Sequence, residues 1–369
     1  MARTLRRMKI LSTFFVLFAV TLLVSVGYAQ DLGGAPPFGG QERGASPLAF
    51  QGLLGRAAEV KERHVDRLMA NPDVVGAGVG VTQAGKPGVI ILAKQPGIVG
   101  VPTELEGVPV EVVVTGEIFA IPVHAEEPSL SVGAKGKVRI DRTQTFSPPV
   151  PIGVSTGNAN ECSAGTIGAR VKKGQAVYAL SNNHVYALEN VAGLGDDILQ
   201  PGLYDTRCLL NSNNVIGTLD NFEEIIFSTS ASNTIDAAIA LSDTNTLDNK
   251  TPSDGYGSPS ATPAGPSIGL AVMKYGRTSG QTYGTINLVS ATILVGYFSG
   301  TARFINQIGV VANRGAFIKA GDSGSLLVTS LGKNPVGLLF AGDSSGKYAF
   351  ANPIGDVLST FGVSIDDTP

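Results

Sequence analysis

The sequence predicts a mainly β fold preceded by a smaller α+β region. Only 15% of its 369 residues are charged and 47 are glycines, a composition that suits sheets joined by tight turns better than a helical bundle. From Ile152 onward, short apolar stretches are separated by Gly, Asn, Ser and Asp, the pattern of antiparallel hairpins in a barrel or sandwich. The stretches expected to be strands are 165–171, 176–180, 237–241, 290–297, 324–329 and 335–340, and a helix is expected at 354–361.

The region before this β-rich body predicts a helix followed by strands. Apolar residues recur at helical spacing over 53–69. Apolar runs bounded by turn residues follow, and we expect strands at 74–81, 88–92 and 108–115. Glycines alternate within the first run, but their spacing does not match a dinucleotide-binding fingerprint, and a turn rather than a helix comes next.

Composition divides the chain into an ordered series of segments. Gly, Pro and Ala make residues 30–50 a flexible linker, and polar residues with prolines make 126–151 a connector between domains. We therefore expect residues 51–125 to form an accessory domain or pro-domain, and residues 152–369 to form the main domain.

The N-terminus has the features of an export signal. Four basic residues precede an apolar run over 10–26, and small residues stand before a cut after Ala29. Residues 1–29 are thus predicted to be a signal peptide, with a retained membrane anchor as the alternative. Either way the remaining chain is expected to be secreted or to lie in the cell envelope.

Charge and cysteine content restrict the partners. A net charge of −3 predicts no nucleic-acid partner. In an oxidising compartment the two cysteines, Cys162 and Cys208, favour a disulfide over the alternative of two buried thiols. None of the three histidines has a second ligand at metal-binding spacing, so we expect neither a metal nor another cofactor.

Three segments of the main domain carry side chains suited to nucleophilic catalysis. His184 follows an apolar strand, Asp236 precedes another, and Ser323 lies in a glycine-bounded turn. A serine hydroxyl becomes a good nucleophile when an imidazole accepts its proton, and a carboxylate on the far ring nitrogen orients that imidazole. The N–H groups of Gly321 and Ser323 are expected to form an oxyanion hole.

These segments resemble the chymotrypsin-like (trypsin-like) serine proteases. The turn Gly321–Gly324 is similar to the family's Gly-Asp-Ser-Gly signature, and Asp236 before Ala-Ala-Ile-Ala is similar to its Asp-Ile-Ala-Leu. The order His, Asp, Ser and the separations of 52 and 87 residues also match the family. The resemblance covers residues 153–361 and implies an antiparallel two-barrel fold and a serine endopeptidase acting on polypeptides.

A fourth segment, 274–286, resembles the bacterial α-lytic protease and streptogrisin branch. In that branch the arginine pairs with the aspartate before the nucleophile, which implies an ion pair between Arg277 and Asp322. The chain departs from the family at several positions. The cysteine after the histidine is replaced by a valine, a glycine after the nucleophile by a serine, and the serine that supports the catalytic aspartate by Phe340.

The resemblance also implies where a substrate binds. Phe340, Ala341 and Gly342 are expected to form the strand edge onto which a substrate adds by β-augmentation. Phe317 stands at the usual floor of the specificity pocket, which disfavours Lys or Arg at the P1 position of the substrate (the residue before the cleaved bond). Because bacterial relatives often carry an inhibitory pro-region, residues 51–125 are expected to inhibit the enzyme intramolecularly.

Two other functions fit the same residues. One is a catalytically weak or inactive binding module with the protease fold, which the departures at Phe340 and Ser325 leave open. The other is an esterase, since the same triad serves acyl transfer to other substrates.

Overall fold

The computed structural model describes residues 47–120, 123–124 and 140–368. The predicted signal at 1–29, most of the predicted linker and most of the predicted connector lie outside the described residues. Residues 45–369 form one compact unit. Within the described residues, no helix is long and apolar enough to span a bilayer.

The described chain contains three α-helices and twenty strands. The helices are α1 (Pro47–Met69), α2 (Asn183–Tyr186) and α3 (Ile354–Phe361). The strands of the first half are β1 (Val74–Val81), β2 (Pro87–Ala93), β3 (Glu104–Leu105), β4 (Val108–Val114), β5 (Ile118–Phe119), β6 (Val123–His124), β7 (Ser155–Asn158), β8 (Ser163–Thr166), β9 (Ala169–Lys173) and β10 (Ala176–Ser181). Those of the second half are β11 (Asp197–Leu199), β12 (Val215–Phe222), β13 (Ala238–Ser242), β14 (Ala271–Gly276), β15 (Gly280–Tyr297), β16 (Gly300–Ala312), β17 (Leu326–Thr329), β18 (Pro335–Asp343), β19 (Tyr348–Pro353) and β20 (Ser364–Ile365).

The strands form two sheets that are almost entirely antiparallel. The smaller sheet has the order β20-β9-β10-β13-β12-β11-β7-β8-β6. The larger sheet has the order β14-β17-β18-β19-β16-β15-β1-β2-β4-β3, with β5 paired to both β15 and β18. This is the predicted mainly β, chymotrypsin-like fold with an α+β region before it.

Strands β1 to β5 of the α+β region belong to the larger sheet. Strand β1 pairs with β15 in antiparallel register, with Gly76 opposite Ile293 and Val79 opposite Val289. Residues before and after the predicted connector therefore share one hydrogen-bonded ladder. An edge strand offers unpaired N–H and C=O groups to any segment that can approach it. Apolar periodicity predicts that a segment is a strand, but it does not reveal which edge that strand will pair with.

The alternating glycines of β1 allow that pairing. A Cβ at Gly76 would lie 2.8 Å from the Thr292 carbonyl oxygen, and one at Gly80 would lie 2.7 Å from the Asn287 carbonyl oxygen. Because real Cβ atoms do not approach backbone oxygens so closely, larger residues would force the two strands apart. The glycines thus serve close strand packing.

A buried lysine attaches helix α1 to strand β15. Its apolar stripe, which includes Val60 and Val65, packs on β1 and β2. Between these residues Lys61 is fully buried, and its ammonium donates to the Ser290 carbonyl (2.8 Å) and to the Thr292 hydroxyl (3.2 Å). Burial lowers the pKa of Lys61, although Glu62 opposes the shift.

The two sheets meet over a shared apolar core. One buried cluster joins Leu180 of the smaller sheet, Leu326 and Leu338 of the larger sheet, and Val357 and Phe361 of α3. Fully burying a side chain of this size contributes roughly 1.5–3 kcal/mol, so the core fixes the mutual position of the sheets. Helix α3 coincides with its predicted range.

Candidate active site

The histidine segment is held by amide side chains next to the aspartate segment. Strand β10 ends at Ser181, and Asn182 then leads into α2, which carries His184. The Asn182 side chain donates to the Asp236 carbonyl (2.7 Å), and that of Asn183 donates to the Glu223 carbonyl (2.6 Å). His184 is 1% exposed, so its ring position is set by protein contacts.

Asp236 binds His184 through both carboxylate oxygens. Oδ2 lies 2.6 Å from His184 Nδ1, and Oδ1 accepts the backbone N–H of His184 at 3.2 Å. The Asp236 backbone is held in turn, because its N–H donates to Asn352 Oδ1 at 3.1 Å. The carboxylate is fully buried, so each of these bonds replaces a lost bond to water.

This pairing determines what the imidazole can do. In the neutral ring, a carboxylate beside Nδ1 favours the proton on that nitrogen and leaves Nε2 as an acceptor. Nε2 of His184 is buried and has no hydrogen-bond partner among the described residues. An oriented ring with one unpaired acceptor nitrogen suits a general base.

A tyrosine that the sequence interpretation missed also binds Asp236. Tyr297, the last residue of β15, donates its phenol O–H to Asp236 Oδ2 at 2.9 Å. No local motif marks this residue. The available signal in the sequence was the phenylalanine at position 340, which left the predicted catalytic aspartate without the hydroxyl partner that the resemblance implies.

The turn that carries Ser323 is held by both sheets. Thr166 of β8 donates its backbone N–H to the Ser323 carbonyl and its hydroxyl to the Gly321 carbonyl, both at 2.8 Å. On the other side, Gly324 donates its N–H to the Leu339 carbonyl of β18 at 2.8 Å. The serine is therefore fixed where the two sheets meet.

The glycines in this turn are required by backbone conformation and space. Gly321 has φ +86° and Gly324 has φ +90°, a region that side chains with a Cβ disfavour. A Cβ at Gly324 would also overlap the Ser181 hydroxyl and the Thr166 carbonyl. Ser181 ends the strand that leads to His184, so the serine turn packs directly against the histidine segment.

The turn also leaves backbone donors available. Asp322 donates its N–H to the Lys319 carbonyl at 2.9 Å, whereas the N–H groups of Gly321 and Ser323 meet no acceptor in the described part of the chain. These are the two groups that the sequence assigned to an oxyanion hole.

The predicted ion pair between Arg277 and Asp322 is wrong. The Asp322 carboxylate pairs with Lys274 Nζ at 2.9 Å, and both side chains are fully buried. Arg277 instead forms an ion pair with Asp205. Lys274 lies within β14 and Arg277 just after it, so the two side chains leave the chain on opposite sides.

Asp322 is further satisfied by backbone donors. Its carboxylate accepts N–H groups from Thr278 (2.9 Å), Ser279 (3.0 Å) and Lys319 (2.9 Å). Burial by itself would raise the pKa of Asp322, but the Lys274 ammonium and these bonds outweigh it and hold the pKa below its ordinary value. Burial also lowers the pKa of Lys274, with Asp322 opposing that shift.

A disulfide joins Cys162 and Cys208 with their Cα atoms 5.2 Å apart, as the sequence predicted. It closes a 46-residue loop that contains His184. In the chain-entropy picture a loop of this length stabilises the fold by about 4 kcal/mol.

The residues assigned to substrate binding divide into two groups. The ring of Phe340 points into the core and packs on Phe304 with centroids 4.8 Å apart, and Phe317 is also fully buried. Gly342, in contrast, pairs with an extended segment: it lies opposite Phe119 of β5 in antiparallel register. The role of Phe317 as a pocket floor remains a prediction.

The end of the α+β region runs along strands on both sides of the serine turn. Strand β5 pairs with the C-terminal end of β18, and Ala120 donates its N–H to the Gly296 carbonyl at 3.0 Å. Strand β6 pairs with β8, with Val123 opposite Ala164. Strands β18 and β8 are also the two strands that hold the Ser323 turn.

No protein-family model matches the sequence, and no curated protein matches it either. Similar solved structures exist. A serine protease specific for glutamic acid is 20% identical, with 59% of this chain and 100% of that chain covered and a TM-score of 0.42. Thermobifida fusca protease A is 21% identical, with 58% of this chain and 97% of that chain covered and a TM-score of 0.41. Cellulomonas bogoriensis chymotrypsin is 20% identical, with 59% of this chain and 99% of that chain covered and a TM-score of 0.41. These structures are bacterial chymotrypsin-like serine proteases, which the sequence motifs also resemble.

Proposed function

We propose that this protein is a serine endopeptidase that hydrolyses peptide bonds through an acyl-enzyme. The observation that carries the proposal is the buried contact of 2.6 Å between His184 Nδ1 and Asp236 Oδ2, with Nε2 of the same ring left unpaired. The turn carrying Ser323 packs against the strand that leads to this histidine.

The chain's own residues suffice for each step. Ser323 Oγ attacks the substrate carbonyl while His184 Nε2 takes its proton, and Asp236 stabilises the imidazolium that forms. The oxyanion is bound by the N–H groups of Gly321 and Ser323, each worth about 3 kcal/mol of barrier. The imidazolium then protonates the leaving amine, and water, activated by the same nitrogen, releases the acyl group.

A polypeptide substrate would add to the edge of β18. Phe340, Ala341 and Gly342 offer backbone groups there, and Gly342 already pairs with an extended segment of this chain. With Phe317 rather than an acid at the predicted pocket floor, we propose that the preferred P1 residue is apolar or small.

The test compares peptide and ester hydrolysis by the wild type and by Ser323→Ala. We expect the wild type to cleave a peptide library at internal bonds, and Ser323→Ala to lose about 10⁶-fold in kcat. Hydrolysis of activated esters without peptide cleavage would contradict the endopeptidase and favour the esterase. If neither the folded wild type nor folded Ala120→Pro, in which the attachment of β5 is weakened, turns over either substrate, the binding module is favoured.

We further propose that residues 51–125 inhibit the enzyme intramolecularly. Strands β5 and β6 contact the two strands that hold the serine turn, so this part of the chain competes with an incoming substrate for the same edges. Release of these strands from the cleft would restore access without any change in the catalytic residues.

Weakening the attachment of β5 should therefore activate the full chain. Ala120→Pro removes the N–H that binds the Gly296 carbonyl, and one such bond is worth about 0.5–1.5 kcal/mol. We expect the initial rate of peptide cleavage to rise about 2- to 10-fold, measured before any self-cleavage accumulates. Ala120→Gly keeps the N–H and is the matched control. Equal rates in the wild type and both variants would contradict the inhibition.

Finally, we propose that the protein works outside the cytoplasm. The disulfide between Cys162 and Cys208 supports this location, because such bonds persist in oxidising compartments. The predicted signal at 1–29 supports it from the sequence.

A further inference from the structure

The carboxylate of Asp236 lacks the partner that the resemblance implies. The family's supporting serine is replaced by Phe340, whose side chain has no donor and packs in the core against Phe304. A fully buried carboxylate with a lone pair left unsatisfied would be costly. The structure supplies the missing donor from a different strand.

We propose that Tyr297 is a positioning residue of the active site, whose phenol holds the Asp236 carboxylate toward His184 in place of the absent serine. The inference rests on the proposed serine-protease function. Its basis is geometric: the Tyr297 O–H and His184 Nδ1 both bind Asp236 Oδ2, at 2.9 and 2.6 Å. The phenol thus fixes the same oxygen that orients the imidazole.

Aromatic packing holds the Tyr297 ring in place. The ring meets His184 edge-on with centroids 6.0 Å apart, and it meets Phe227 edge-on at 5.6 Å. Phe304 packs on it at 6.1 Å and in turn contacts Phe340. Aromatic neighbours linked in this way leave the phenol few other directions.

The chain next to Tyr297 is tied to the loop that follows His184. The Glu189 carboxylate accepts the backbone N–H groups of Phe298 (3.1 Å) and Ser299 (2.7 Å), the two residues at the end of the β15–β16 hairpin. The hairpin end and the histidine loop are therefore connected by charge-assisted bonds. This connection ties the residues that follow Tyr297 to the loop that follows His184.

The Tyr297 phenol remains a donor at neutral pH. Burial raises the pKa of Tyr297 well above its ordinary value, and the neighbouring charge of Asp236 raises it further. A phenol that keeps its proton can donate to the carboxylate but cannot act as a base or a nucleophile. This is the property required of a positioning group.

The test is Tyr297→Phe, which removes one oxygen and keeps the ring. Because a hydrogen bond to a charged group is stronger than a neutral one, we expect kcat for a peptide substrate to fall about 10- to 100-fold, with KM changed less than twofold. Tyr283→Phe is the matched control, since Tyr283 lies in the same strand and is half exposed. It should retain wild-type kcat.

A second measurement does not depend on turnover. The chain contains only three histidines, so ¹⁵N-histidine labelling identifies the Nδ1–H proton of His184. We expect its low-field resonance to shift in Tyr297→Phe and to stay unchanged in Tyr283→Phe.

These readouts separate the inference from the function on which it rests. If the wild type hydrolyses peptides but Tyr297→Phe keeps both its kcat and the wild-type Nδ1–H resonance, the positioning role is wrong while the enzyme stands. If neither the wild type nor Ala120→Pro has activity, the proposed function fails, and the resonance still decides whether Tyr297 supports Asp236. A drop in melting temperature with kcat unchanged would make Tyr297 merely structural and overturn the proposal.

Discussion

Asp236→Asn is expected to lower kcat for peptide hydrolysis by about 10⁴-fold without unfolding the protein. The carboxylate accepts three hydrogen bonds, two from His184 and one from Tyr297. An amide of the same size has only one acceptor oxygen. If its NH₂ faces the ring, the proton of the neutral imidazole moves to Nε2, which can then no longer accept the serine proton.

The measurement is single-substrate kinetics together with a melting curve. Asp220→Asn is the matched control, because Asp220 is exposed on β12 and β12 lies two strands away from β10, the strand that leads to His184. A reduction below tenfold in folded Asp236→Asn would show that the imidazole does not depend on this carboxylate, and the catalytic assignment would fail.

Lys274→Met should damage both stability and activity. The variant leaves Asp322 fully buried without a counter-ion, a change that costs about 3–5 kcal/mol when a buried pair loses one partner. Asp322 lies between Gly321 and Ser323, so its displacement also moves the two N–H groups that we propose for the oxyanion hole. We expect a lower melting temperature and a fall in kcat of at least 10²-fold in the molecules that remain folded.

Arg277→Met provides the comparison. It breaks the ion pair with Asp205 and should lower stability, but it leaves Lys274 bound to Asp322. We therefore expect its kcat per folded molecule to exceed that of Lys274→Met by at least tenfold. Equal losses of kcat in the two variants would contradict the role given to Lys274.

The sequence could predict those parts of the site that depend on local patterns. His184, Asp236 and Ser323 each stand where an apolar strand meets a turn, and two glycines mark the conformation of the serine turn. Short strands with frequent turn residues likewise predicted the antiparallel sheets, and an amphipathic stretch predicted helix α3.

The parts of the site that the sequence could not predict depend on contacts between distant segments. Lys274 and Arg277 are three residues apart, and only the strand geometry decides which of them reaches Asp322. Tyr297 reaches Asp236 from a separate hairpin, 61 residues further along the chain. No local sequence pattern around Lys274 or Tyr297 predicts its bond to the distant aspartate.

The pairing of β1 with β15 is also a contact between distant segments that the sequence could not predict. The glycines of β1 could be recognised as an unusual alternation, but the strand that they approach lies about two hundred residues further on. Pairing of this kind is governed by which edge is left open in the folded protein.

The most direct measurement is covalent labelling with a fluorophosphonate, located by peptide mass spectrometry. The central claim is that His184 and Asp236 activate a single hydroxyl, so the label should be found on Ser323, should be absent in Ser323→Ala and should be greatly reduced in His184→Ala. Labelling should be faster in Ala120→Pro than in the wild type. Folded protein that stays unlabelled in both the wild type and Ala120→Pro, or a label that persists unchanged in His184→Ala, would contradict the claim.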